Sequence, residues 1–330
     1  MKLAGKLLLI CLAVVGTAMS SKAEVNYEMT VAKDGSGDFT SIQAAINATK
    51  AFPDKPIVIH IKKGIYIEKV CVYSWNNKLT LKGEDVNETI ITYDDHFEKL
   101  NLGRNSTFHT YTVKVEANDF AAENLTIMNS SGPVGQAVAL HVEGDRCQFR
   151  NCRILGHQDT LYAAGEGSRQ YYKDCFIEGT TDFIFGEAIA VFDSCTINSK
   201  SDSYVTAAST SENQPFGYVF LNCTLTADEG VASCYLGRPW RAYAKVVYLN
   251  CALGDHILAQ GWSNWSGTER DQTAFYAEFE STGAGANAEE RVSWSHQLSA
   301  KEAKEYTLEN IFKVENRVKS GSDNWNPAGE

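Results

Sequence analysis

Five cysteines, Cys152, Cys175, Cys195, Cys223 and Cys251, each stand two residues before an aliphatic residue: Ile154, Ile177, Ile197, Leu225 and Leu253. The intervals between them are 23, 20, 28 and 28 residues. A free cysteine behaves as a small buried hydrophobe, so the unit reads as one inward position repeated on successive layers. A layer of this length cannot bury its apolar face alone; stacking the layers makes one continuous core. Short β-rich runs recur along the same stretch, among them residues 57–61, 79–82, 111–115, 122–128, 137–142, 152–155, 175–177, 190–192, 217–221 and 245–249. Clusters of Gly, Asn, Asp and Ser separate them. Long helical periodicity is absent between about residues 52 and 265. The expected fold class is therefore all-β, a stacked β-solenoid.

Asn151, Asn222 and Asn250 precede their cysteines at corresponding places. Stacked amides there would satisfy one another, and a plain succession of turn residues would look the same. Helical signals are confined to the ends. Ile42, Ala45 and Ile46 follow Thr40, a candidate cap, and Ser299 with Glu302 has the spacing of a capping box. Short terminal helices are expected to cover the open ends of the solenoid.

Lys2 and Lys6, the apolar run Leu7 to Gly16 and the small-x-small site Ser21-Lys22-Ala23 have the order of a secretory signal. The expectation is a cleaved segment 1–23 and a single exported domain over residues 24–330. No run is long and apolar enough for a membrane span. Eight cysteines remain after Cys11. An even count in an exported chain invites disulfides, but the repeat spacing favours buried thiols. Thirty Lys and Arg against 41 Asp and Glu give a net charge of -11, which becomes -14 once the three lysines of residues 1–23 are removed. That balance excludes nucleic-acid binding by counterion release and polybasic attachment to a membrane.

Chemistry concentrates in three places. Asp159, in Gln158-Asp159-Thr160-Leu161, lies 23 residues before Asp182, in Asp182-Phe183-Ile184-Phe185-Gly186, and Gln136 lies 22 before Gln158. Each interval is about one repeat, and neighbouring strands lie about 4.8 Å apart. The two carboxylates would then stack beside two stacked amides. Carboxyls that close do not ionise independently, so one is held as an acid and the other as a base or nucleophile. The third place is Leu236-Gly237-Arg238-Pro239-Trp240: an arginine able to clamp a carboxylate and a flat ring suited to a sugar. Paired carboxylates also serve glycoside cleavage; the two glutamines favour ester hydrolysis, which needs donors to an oxyanion. The seven histidines show no metal-ligand spacing, His157 reads as a turn residue, and neither metal nor cofactor is expected.

With Gly64-x-Tyr66-x-Glu68, Gln136-Ala137-Val138-Ala139-Leu140, the Asp159, Asp182 and Arg238 motifs, Val31 to Phe39, Asn264-Trp265 and Thr273 to Tyr276 all in order, the chain resembles the pectin methylesterases (pectinesterases) of the right-handed parallel β-helix type. The likeness covers nearly all of residues 28–312. It implies hydrolysis of methyl esters of homogalacturonan, with Asp182 as nucleophile, Asp159 as general acid and base, Gln136 and Gln158 as oxyanion donors and Arg238 orienting Asp182. It further implies that Trp240, Tyr162, Phe185 and Thr112 contact the sugar; Tyr66 and Glu68, several coils upstream of the other motifs, are read as structural. The partner expected is pectin, bound by a monomer.

Overall fold

In the computed structural model the residues described are 25–313, 323 and 325–329; the segment 1–23 lies outside them. The chain winds as a right-handed parallel β-helix in which each central coil gives one strand to each of three sheets, and the end coils add to some sheets only, giving eleven, seven and eight strands among the described residues. One coil runs Cys147–Arg150, Arg153–Leu155, Leu161–Ala163, and the next Arg169–Lys173, Phe176–Gly179, Ile184–Gly186. They pair in parallel with Phe149 on Tyr172, Ile154 on Ile177 and Leu161 on Ile184.

The cysteines take the inward place the repeat implies. All five are buried, and none of the eight described cysteines is in a disulfide. Their thiols donate to carbonyls of the preceding coil, Cys175 to Phe149 and Cys223 to Phe192 at 3.4 and 3.2 Å. Beside them runs an interior column of rings, Phe149, Tyr172, Phe192, Phe220 and Tyr248, stacked 4.3–4.9 Å apart. That separation is close to the inter-strand spacing, so strand pairing and ring stacking satisfy one geometry.

The residue before each of these cysteines, Asn151, Asp174, Ser194, Asn222 and Asn250, turns a corner in the left-handed region, as does Asn124 before Leu125 on an earlier coil; all six have φ between 47° and 55°. Asn151 Nδ2 donates to Asn124 Oδ1 at 2.8 Å, but Asp174 and Ser194 interrupt any amide column. The demand at this corner is positive φ, which Asn and Asp tolerate better than most side chains. The same corner at Asn124 splits the run expected over 122–128 into Ala121–Glu123 and Thr126–Asn129.

At the N-terminal end, helix Ile42–Ala48 packs Ile42, Ala45 and Ile46 into the core. Its cap is Ser41 rather than Thr40. Glu68 accepts from Ser41 Oγ, Ile42 N and Gln43 N at 2.8–3.0 Å, and Tyr66 donates to the Lys62 carbonyl. That motif is thus a clamp on the first helix. At the other terminus Ser299 and Glu302 do form a capping box. The short helix it begins, Ala300–Ala303, and the next, Leu308–Ile311, capped by Thr307, lie against a sheet face, with Ile311 and Phe312 packed on Tyr171, Ile189, Val191 and Val219. The expectation of a helix over the open end is corrected here: the outer face of the eleven-stranded sheet is apolar and needs the cover.

Fully buried Arg169 pins this segment. It donates to both oxygens of Asp145, both oxygens of Asp323 and the Phe312 carbonyl, at 2.7–3.0 Å. Arg169 also holds the Asp323 carboxyl well below the ordinary carboxylate range. Asp323→Ala is expected to cost about 2–3 kcal/mol, since it strips one partner from a buried cation. The loss would appear in urea midpoints near neutral pH. It should shrink as pH falls below the ordinary carboxylate pKa, because a group depressed in the fold stabilises only while ionised. Identical midpoints for variant and parent would mean the segment is not held by this pair.

Candidate active site

The seven-stranded sheet positions the chemistry. Asp159 and Asp182 each stand two residues ahead of their strands, Leu161–Ala163 and Ile184–Gly186, which pair Leu161 to Ile184. They therefore occupy the same place on adjacent coils, about one strand spacing apart. Both are left-handed, φ 63° and 50°, a conformation that persists only where the surroundings over-determine it. Here they do: Asp159 N donates to Thr181 O, Asp182 N to Tyr204 O and Leu161 N to Phe183 O. Gln136 and Gln158 form a parallel bridge. Their interval of 22 exceeds the 21 between Leu140 and Leu161 because of a bulge at Val138 and Ala139: Thr112 N reaches both carbonyls, and Ala139 N and Leu140 N share Thr160 O. The extra residue is what brings the two glutamines level.

Arg238 follows strand Tyr235–Gly237 and donates to Asp182 through Nε at 2.9 Å and Nη2 at 2.6 Å. Its guanidinium lies between the rings of Tyr204 and Trp265, 4.0 and 4.2 Å from their centroids. Gly237 lets the strand come this close, since a Cβ there would sit 2.0 Å from Thr206 Oγ1.

The two carboxyls are 5% and 6% exposed, yet their environments differ. Burial pushes Asp159 well above the ordinary carboxylate range; the charge of Asp182 adds to this, against a hydrogen bond from Gln136 and the more distant Arg238. Burial also raises Asp182, but the two bonds from Arg238 oppose it directly. Burial and charge thus favour the proton on Asp159, while the Arg238 bonds favour the ionised form of Asp182.

Both line a cleft of about 430 Å³ with Gln136, Gln158, Arg238, Trp240 and Phe185. Tyr162 stacks on Phe185 at 4.5 Å and lines an adjoining cavity. Thr112 is not brought to the cleft: it is fully buried, its hydroxyl donating to the Met128 carbonyl. His157 is not on the cleft wall either; its carbonyl accepts from Thr160 Oγ1. Sequence reasoning missed Phe97, Arg104, Thr107 and Phe108, which overhang the cleft from the short helices Phe97–Leu100 and Gly103–His109. Helices of four and seven residues are too short to leave the long periodicity that is absent from this stretch of sequence, so they were not expected away from the ends. Trp265 also lines the cleft, and Asn264-Trp265 was its only signal. Among the described residues no cluster of three His, Cys, Asp or Glu side chains suits a metal ion, and no helix is long and apolar enough to cross a membrane.

A family model described as Pectinesterase matches residues 28–315. Pectinesterase 31 of Arabidopsis thaliana is 40% identical over 281 residues, covering 83% of this chain and 88% of that protein. The chain spans only about half the length of several longer Arabidopsis relatives named pectinesterase/pectinesterase inhibitor. Among solved structures, pectin methylesterase from carrot superposes with a TM-score of 0.81 at 34% identity, covering 89% of this chain and 94% of that one. A pectin methylesterase crystallised with a hexasaccharide gives 0.75 at 31% identity, covering 88% and 98%.

Proposed function

This chain belongs to the pectinesterase family and is a carboxylic ester hydrolase; on that premise we propose that it cleaves the methyl esters of homogalacturonan with Asp182 as nucleophile and Asp159 as acid, then base. The observation that carries this reading is the in-register pair of buried carboxyls of which Arg238 touches only one.

Asp182, ionised and aimed by Arg238, attacks the C6 carbonyl of a methylated galacturonate. Charge then develops on the carbonyl oxygen, where Gln136 and Gln158 donate. Donors of this kind are worth about 10²–10³ in rate. Asp159 gives its proton to the departing methoxide, which leaves as methanol, and an acyl-enzyme joins Asp182 to C6. Asp159, now a carboxylate, takes a proton from water; the hydroxide attacks C6 and frees Asp182 and a galacturonate. Trp240, Phe185 and Tyr162 supply flat faces for the sugar rings. The substrate is a wall polymer, so the enzyme works outside the cytoplasm. This accords with reading residues 1–23 as an export signal and 24–330 as one monomeric catalytic domain.

The assay is methanol release from methyl-esterified pectin, with reducing ends counted in parallel. Methanol without new reducing ends is expected. New reducing ends would instead assign the carboxylate pair to glycoside cleavage, which the same pairing also suits.

A further inference from the structure

Leu140 and Val142 point into the core, so His141 between them points out of the seven-stranded sheet. The register lines up one such side chain per coil: Lys114 beside His141, His141 beside Tyr162 and Tyr162 beside Phe185. The rings of His141, Tyr162 and Phe185 follow one another at 4.6 and 4.5 Å, and Tyr111 meets His141 edge-on at 6.2 Å. His141 is only 2% exposed. It is therefore the ring on which Tyr162 and Phe185 rest, not a surface for a ligand. A phenyl ring would stack there as well; what an imidazole adds is a site for a proton.

We propose that His141 is a positioning residue: its neutral ring holds Tyr162 against Phe185, and its protonation in acid loosens that column and weakens polysaccharide binding without touching the chemical step. The inference rests on the reading of Tyr162 and Phe185 as sugar-facing rings of an ester hydrolase. The surroundings suit a neutral ring. Nε2 stands 2.9 Å from Glu143 Oε1, off the line of a well-aligned bond, and Nδ1 has no partner among the described residues. On a neutral imidazole Nδ1 can remain a bare acceptor. On an imidazolium it becomes a buried N–H with nothing to receive it. The carboxylate within reach is already shared: Lys114, on the neighbouring strand, pairs with Glu143 at 3.2 Å and with Glu116 at 2.8 Å. Tyr111 and Tyr162, the other titratable groups against the ring, are raised above the ordinary phenol range, first by burial, and carry no charge in acid. Burial likewise lowers the His141 pKa; Glu143 and Glu116 oppose this, and the charge of Lys114 adds to it. A proton forced onto the ring is best relieved by turning toward water, which takes it from between Tyr111 and Tyr162.

The test is calorimetric titration of Asp182→Asn protein with a fully methyl-esterified oligogalacturonate across a range of pH. That ligand carries no charge, and the variant has no nucleophile to turn it over. Affinity should hold near neutral pH and fall about tenfold by about pH 4.5, the size of a one-unit difference in the imidazole pKa between free and bound protein. Adding His141→Phe, which keeps a ring against Tyr162 and takes no proton, should make affinity independent of pH; Asp159 is common to both proteins and cancels. His141→Gln serves if the phenylalanine does not pack. In otherwise native enzyme His141→Phe should remove an acid rise in KM and leave the acidic limb of kcat where it is. Affinity that is flat in the Asp182→Asn protein, or a fall in acid that survives both His141 exchanges, would overturn the role while methanol release by the parent kept ester hydrolysis intact. A parent that releases no methanol would overturn the reading on which the role rests.

Discussion

Asp182→Asn is expected to lower methanol release by roughly four orders of magnitude, because an amide of the same shape cannot form the acyl-enzyme. The exchange keeps the packing. Arg238 would stay between Tyr204 and Trp265, and the aromatic wall of Phe185, Tyr162 and Trp240 is untouched. Affinity for an esterified oligogalacturonate should therefore change by no more than about threefold, as the variant removes a contact made mainly in the transition state. Calorimetric titration with the oligosaccharide, beside the methanol assay, separates the two. Retained turnover would move the nucleophile elsewhere. Loss of binding and turnover together would make Asp182 part of the sugar site instead.

Arg238→Met should lower kcat by about 10²–10³ and shift the acidic limb of the pH–rate profile upward, because a buried carboxylate loses the partner that keeps it charged. The sign follows from what surrounds Asp182. Burial raises its pKa, and the two Arg238 bonds are what oppose that rise. With the guanidinium gone the carboxyl climbs further, and the nucleophilic form appears only at higher pH. The alkaline limb belongs to Asp159, which must be protonated to release methanol; its own rise comes first from burial and should survive the substitution. Arg238→Lys should restore part of the rate, returning the charge without the two-pronged geometry. A profile that loses height with no movement of its acidic limb would assign Arg238 to packing alone.

Much of this site could be read from residue intervals. The 23 residues between Asp159 and Asp182 equal one coil, so a parallel stack in register was enough to pair them. The glutamines were legible for the same reason, although their interval of 22 conceals the bulge at Val138 and Ala139 that aligns them. The cysteines and their aliphatic partners marked the interior because one corner conformation recurs before each of them. What escaped is what has no period. Strands of three residues, such as Leu140–Val142 and Ile184–Gly186, are too short to alternate. The overhang from Phe97 to Phe108 leaves the solenoid and returns, so its cleft residues have no counterpart on other coils. Thr112 carried a motif resemblance but sits behind the sheet, where the fold needs its hydroxyl for Met128. The C-terminal helices cover a sheet face because Val191, Val219 and Val247 point outward there, which spacing alone does not reveal.

The central claim is that two carboxyls on neighbouring coils divide one proton unequally, Asp159 keeping it and Asp182 giving it up. Isotope-edited infrared spectroscopy of aspartate-labelled protein at neutral pH reads this without substrate. A protonated-carboxyl band should be present in the parent and absent in Asp159→Asn. A spectrum with no such band, or a band that persists in Asp159→Asn at full strength, would contradict the assignment of acid and nucleophile.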